Sequence, residues 1–130
     1  MKFEGVRATQ LWRWEEQVKD LLSTVQIHDM SVDNILDFVG RQVLQLWILR
    51  DGVKVHGVLL TEIVHHPKHS ILVLKYGAGK LPANAKKILR DIVIPWSKMY
   101  GCSKIEVAGR KGWKRVLGLT QEIPLYRGDI

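Results

Sequence analysis

The sequence predicts an α/β domain built on a mixed sheet, and three observations carry that reading. Two amphipathic helical segments come first, between Thr9 and Gly40. Strand-forming runs then follow one another from Val43 to Tyr76. After them a helical apolar stripe separates the strand SILVLKY from the strand KIEVAG. A strand–helix–strand unit implies a right-handed crossover, so these last two strands are expected to be parallel.

The elements can be justified in order. In the segment Thr9 to Thr24, Leu11, Trp14, Val18, Leu21 and Leu22 fall at i, i+3, i+7, i+10 and i+11, which is one helical face. Ser31 precedes VDNILDFVG and suits an N-cap; Ile35, Phe38 and Val39 share a face, and Gly40 suits the helix end. VLQLWILR is rich in strand formers and runs into Asp51-Gly52, a strong hairpin signal. VKVHGVLLTEIV is the return strand, where Gly57 marks a bulge or a close backbone approach. HHPKH is a turn. SILVLKY is nearly all apolar, so burial on both faces is expected, and the three strands form a meander.

The next helix should run from about Pro82 or Ala83 to Tyr100, with Ala85, Ile88, Leu89, Ile92, Val93, Trp96 and Met99 inward. Pro95 should kink it or end its regular hydrogen bonding early. Gly101 stops it and KIEVAG is a fourth strand. RKGWKRVLG reads as a short helix, and a last strand is expected around Ile123 to Arg127. The expected order is α-α-β-β-β-α-β-α-β in a single domain, residues 1–130.

Composition narrows the function classes. A hydrophobic fraction of 46% with 25% charged residues fits a folded core rather than a disordered chain. No apolar run approaches the ~18 residues of a membrane span. The start MKFEGVRATQ has no apolar signal region, so secretion is not expected. Cys102 is the one cysteine, which excludes an internal disulfide and a cysteine-built zinc site. The net charge of +7 is unevenly spread: residues 1–74 hold eight basic and nine acidic side chains, and residues 75–115 hold eleven and two. A field of that kind favours an anionic partner, such as a phosphorylated cofactor, nucleic acid or an acidic protein face.

The stretch LKYGAGKLP poses the functional question. Two glycines before a helix start offer unpaired N–H groups to an anion, and Lys80, Lys86, Lys87 and Arg90 crowd the place where a helix dipole is positive. Glycines that serve only a tight strand-to-helix turn are the alternative. A Walker A loop is excluded, because Leu81 rather than Ser or Thr follows Lys80.

With that stretch in place, the order of elements resembles the GNAT fold, the Gcn5-related N-acetyltransferases. In that family a turn of the form Arg/Gln-x-x-Gly-x-Gly/Ala holds the pyrophosphate of acetyl-CoA. Leu74-Lys75-Tyr76-Gly77-Ala78-Gly79 matches the glycine spacing, with Leu74 in the first position. The resemblance implies acetyl-CoA as cofactor, held by Lys75, Gly77, Ala78, Gly79, Lys80 and Lys86. It also implies a carboxylate base and a tyrosine acid. Glu62 is the acidic residue of the sheet region before the glycines, and Tyr126 and Tyr76 are the tyrosines available. The expected residue after the fourth strand is Asn, and Arg110 stands there.

WSKMYGCSKIEVAGRKGW further resembles small GNAT-like proteins of short-tailed phages, some of them virion components. That likeness implies a binding role in a phage particle or toward a host protein, in the host cytoplasm or the virion. An active acetyl-CoA-dependent N-acetyltransferase is the alternative. Arg110, Lys111, Trp113, Lys114 and Arg115 form a basic patch around an aromatic, suited to a nucleic-acid or protein partner. His65, His66 and His69 lack a spaced carboxylate or thiol partner, so no metal site is expected.

Overall fold

The computed structural model describes residues 1–27, 29–80, 84–108, 120–122 and 125–129. The elements are β1 Lys2–Val6, α1 Leu11–Leu22, α2 Val32–Gly40, β2 Gln45–Asp51, β3 Lys54–His65, β4 Ser70–Gly79, α3 Ala85–Ile88, α4 Ile94–Met99, β5 Cys102–Ala108, β6 Thr120–Glu122 and β7 Leu125–Asp129. A 3-10 turn, Ala8–Gln10, leads into α1, and a π-helical segment, Leu89–Val93, joins α3 to α4. The strands form a seven-stranded mixed sheet in the order β1-β2-β3-β4-β5-β7-β6. The chain groups into two compact units: Met1–Thr61 with Tyr76–Pro82, and Glu62–Lys75 with Ala83–Ile130.

In the first unit the core lies between α1, α2 and the sheet. Trp14, Val18 and Leu22 from α1, and Ile35 and Val39 from α2, are buried as the periodicity requires. Ser31 caps α2 with a full capping box: its hydroxyl accepts from the Asn34 N–H at 3.0 Å, and the Asn34 side chain accepts from the Ser31 N–H at 3.3 Å. Two otherwise orphaned donors are thereby satisfied. Ser31→Ala is expected to cost about 1 kcal/mol, read as a fall of about 4 °C in melting temperature. Gly40 is the last helical residue, but the left-handed position after the helix is taken by Gln42, at φ 64°.

Helix α1 is latched to the β2–β3 hairpin by one side chain. Gln17 Nε2 donates to the Val53 carbonyl and Gln17 Oε1 accepts from the Val55 N–H, each at 2.8 Å. The hairpin turns one residue later than Asp51-Gly52 suggests. Asp51 pairs with Lys54, so Gly52 and Val53 are the central pair, with Gly52 at φ 57°. The β2–β3 register slips between Leu49 and Arg50, leaving His56 as the extra residue of a bulge beside Gly57.

Strand β1 is absent from the order the sequence predicts. It pairs antiparallel with β2, Phe3 stacks on Trp47 with centroids 5.8 Å apart, and Glu4 pairs with Arg50. The Arg50 guanidinium holds the Glu4 carboxyl below its usual range, against a smaller opposing effect of burial. A depressed folded pKa contributes stability above the unfolded value, and that stability is lost as pH falls through the folded one.

In the second unit β4 runs parallel to β5, and β5 runs antiparallel to β7, which pairs with β6. The last strand expected around Ile123–Arg127 is β7, and β6 precedes it as a strand absent from the expected order. The short helix expected over RKGWKRVLG lies outside the described residues. Pro95 has the expected effect on its helix: Ile94 N–H donates to the Leu89 carbonyl, five residues back. This π turn holds an additional residue and rotates the face that follows. The buried positions become Leu89, Val93 and Ser97, while Ile92 and Met99, expected inside, are exposed. Trp96, also expected in the core, is half-buried against Tyr100.

Candidate functional site

The structure corrects the expected glycine turn. Gly77, Ala78 and Gly79 are the last residues of β4, and Ala78 is buried in the core of the first unit. The Lys80 N–H donates to the His56 carbonyl at 2.8 Å. A Cβ on Gly57 would lie 2.1 Å from the Lys80 carbonyl oxygen, and one on Gly79, at φ 77°, would lie 2.3 Å from the His56 carbonyl oxygen. Gly57 and Gly79 therefore let the backbones of β3 and β4 touch where β3 bulges. Gly77 is under no such constraint, since its Cβ would meet only the Val58 carbonyl oxygen, at 3.8 Å. Of the two glycines in the spacing that suggests a phosphate turn, one is needed for packing and one is not.

A second feature lies along the same strand. Among the described residues the β4–β5 ladder runs from Ser70↔Cys102 to Leu74↔Val107. Strand β4 continues five residues further, to Gly79. Among the described residues, this stretch of β4 has no pairing with β5. Its end carries no side chain at Gly77 or Gly79; Gly79 is closed against the His56 carbonyl, and Gly77 has no neighbour that near.

Two residues expected to serve different roles are brought together. Lys75 Nζ lies 3.8 Å from Glu62 Oε1, and both side chains are about three-quarters buried. Tyr76, next along β4, packs against the core of the first unit and its hydroxyl donates to Asp29 Oδ1 at 2.7 Å. Lys80 is exposed. Lys86 is in α3 and Tyr126 in β7, with Tyr126 opposite Val107 in register; their side chains lie outside the described part of the structure. Arg110, Lys111, Trp113, Lys114 and Arg115 also lie outside the described residues.

One carboxylate escaped the sequence reading. Glu106 is 8% exposed on β5, with Val73 and Arg127 as its register neighbours. A single acid inside the apolar run IEVA was the available signal. The register also sets Lys104 opposite Asp129 and Glu106 opposite Arg127.

The histidine cluster is local. His65 Nδ1 and Ser70 Oγ are 2.7 Å apart, and the His66 and His69 rings sit 5.2 Å apart. Among the described residues, no group of three or more His, Cys, Asp or Glu is arranged to hold a metal. Cys102 is buried, and burial pushes its thiol pKa up, with a smaller opposing hydrogen bond from Ser97.

No protein-family model matches the chain, and no curated protein does either. Solved structures match over nearly its whole length. A GNAT family acetyltransferase from Brucella melitensis, in complex with acetyl-CoA, superposes with a TM-score of 0.69 at 13% identity, covering 99% of this chain and 87% of that one. The fold is GNAT-like.

A PaiA N-acetyltransferase from Thermoplasma acidophilum, in complex with coenzyme A, matches with a TM-score of 0.62 at 11% identity over the full length of both chains. An aminoglycoside acetyltransferase from an uncultured soil metagenomic sample, in complex with sisomicin, matches at 0.65 and 12%, covering 90% of this chain and 82% of that one. The mixed α/β architecture expected from the sequence is thus the GNAT one. Among the described residues, no helix is long and apolar enough to cross a membrane.

Proposed function

We propose that this chain binds acyl-CoA along the end of β4 and is an acetyl-CoA-dependent N-acetyltransferase. The observation that carries the reading is the end of β4: among the described residues it pairs with β5 as far as Leu74 and then continues to Gly79, with no side chain at Gly77 and no close neighbour over that position. Backbone amides with no side chain over them can be approached closely by phosphate oxygens or by an amide-bearing ligand. Gly77 supplies such a position without a packing role, and Lys75 and Lys80 add positive charge on either side. Two of the solved GNAT-like structures hold coenzyme A or acetyl-CoA, which supports the same ligand class.

Acetyl transfer forms a C–N bond and breaks the thioester C–S bond, so the amine must lose a proton and the thiolate must gain one. Glu62 is our assignment for the proton acceptor and Tyr126 for the donor. Lys75 orients the Glu62 carboxylate. Gly77, Ala78 and Gly79 with Lys75, Lys80 and Lys86 are the proposed cofactor contacts.

A second reading is a GNAT-fold protein that binds without catalysis, in a phage particle or toward a host protein. Leu74 favours it, because a buried apolar side chain stands at the position where the resembling glycine turn carries Arg or Gln. Calorimetric titration with acetyl-CoA and with CoA, at low salt and at ~0.15 M salt, tests the cofactor claim. Saturable binding at both salts is the expected result, and absence of binding at both rejects it. Binding without thiol release across a panel of amines selects the second reading.

A further inference from the structure

We propose that His66 and His69 form a two-imidazole chelate for Zn²⁺ at the turn between β3 and β4. The two residues flank Pro67 and Lys68, and the His66 N–H donates to the His69 carbonyl at 2.8 Å. That bond sets them opposite each other where the two strands close, and opposite residues of an antiparallel pair share a face. Their ring centroids lie 5.2 Å apart, with the planes 31° from parallel. A Zn–N bond of ~2.1 Å places an imidazole centroid ~3.2 Å from the metal. Two such rings at a tetrahedral angle have centroids ~5.2 Å apart, whereas the right angle of a square-planar or octahedral ion brings them to ~4.5 Å. The turn therefore holds the rings at the tetrahedral spacing.

His65 is not a third ligand. Its Nδ1 lies 2.7 Å from Ser70 Oγ, and alternation along the strand puts it on the other face from His66. Among the described residues no group of three or more His, Cys, Asp or Glu is arranged to hold a metal, so water fills the remaining positions and the site is open. A reading for closed structural sites passes over such a pair, because spacing alone does not tell which of three histidines share a face. Two features reduce what the metal must order. Pro67 fixes one backbone angle of the turn, and the bond between His66 and His69 closes it. Lys68 lies in the turn and is exposed, so solvent screens its opposing charge. A metal held here staples the ends of β3 and β4 and stabilises the folded chain by mass action.

Calorimetric titration of the untagged full chain with zinc chloride, at about pH 7.5 where free imidazole is neutral, tests this. One equivalent should bind saturably in the micromolar range, and excess magnesium should not displace it. His66→Ala and His69→Ala should each weaken binding by about tenfold or more. His65→Ala should change it by less than about threefold. In the parent chain the imidazole resonances of His66 and His69 should shift together during the same titration. Absence of saturable binding overturns the proposal. So does binding that survives His66→Ala or His69→Ala, or that falls as far with His65→Ala. Shifts at other histidines with these two unmoved overturn it on the parent chain alone, so the test does not depend on any variant folding.

Discussion

Gly57→Ala should lower the melting temperature by more than about 10 °C, corresponding to roughly 3 kcal/mol. The added Cβ would sit 2.1 Å from the Lys80 carbonyl oxygen, and that oxygen is not the end of a flexible side chain. It belongs to a residue whose own N–H is bonded to His56, so relief requires β3 and β4 to part. Gly79→Ala should be at least as costly, since it adds a left-handed φ of 77° to a 2.3 Å approach on His56. Gly77→Ala should change stability by less than about 0.5 kcal/mol, because its nearest obstacle is at 3.8 Å. Thermal melts of the three variants give the test. Equal melting temperatures for Gly57→Ala and Gly77→Ala would contradict the close approach.

The second large effect is expected at Thr61, which is fully buried on β3. Its hydroxyl accepts from Trp47 Nε1 and donates to Gln45 Oε1, both at 3.0 Å. Thr61→Val keeps the volume and removes both bonds, leaving polar atoms without this partner in a dry setting. The expected cost is about 2 kcal/mol. Thr61→Ser keeps the hydroxyl and loses only a methyl group, about 1 kcal/mol. Chemical denaturation followed by tryptophan fluorescence distinguishes them. A Val variant as stable as the Ser variant would show that the bonds add nothing.

What the sequence made legible is what local rules govern. The apolar spacing from Leu11 to Leu22, the Ser31 cap and the break at Pro95 each follow from residues within one or two turns of one another. The bulge and close approach at Gly57 were also readable, as alternatives, and both occur. Strand β1 was not readable. Lys2–Val6 is five residues with a glycine inside, and it is held by Trp47 and Arg50, more than forty positions away. The outward turn of Ile92 and Met99 was hidden for another reason. A 3.6-residue period assumes an unbroken α-helix, and one π turn shifts the phase of everything after it.

The site was partly legible. The glycine spacing drew attention to the strand that carries the proposed cofactor site, but spacing cannot distinguish a glycine that exposes an amide from one that makes room for a neighbouring backbone. Gly79 serves the second purpose, and only the position of His56 reveals it. The Glu62–Lys75 pair is a contact between strands and has no sequence signature. Glu106 looked like an ordinary strand charge until its burial was known.

The most direct test of the account is amide hydrogen exchange of the native chain with and without saturating CoA. The account predicts new protection concentrated in residues 75–80, at the end of β4, with Gly77 among the protected amides and the α1–α2 core unchanged. Protection elsewhere with β4 unaffected, or no change at any CoA concentration, would contradict it.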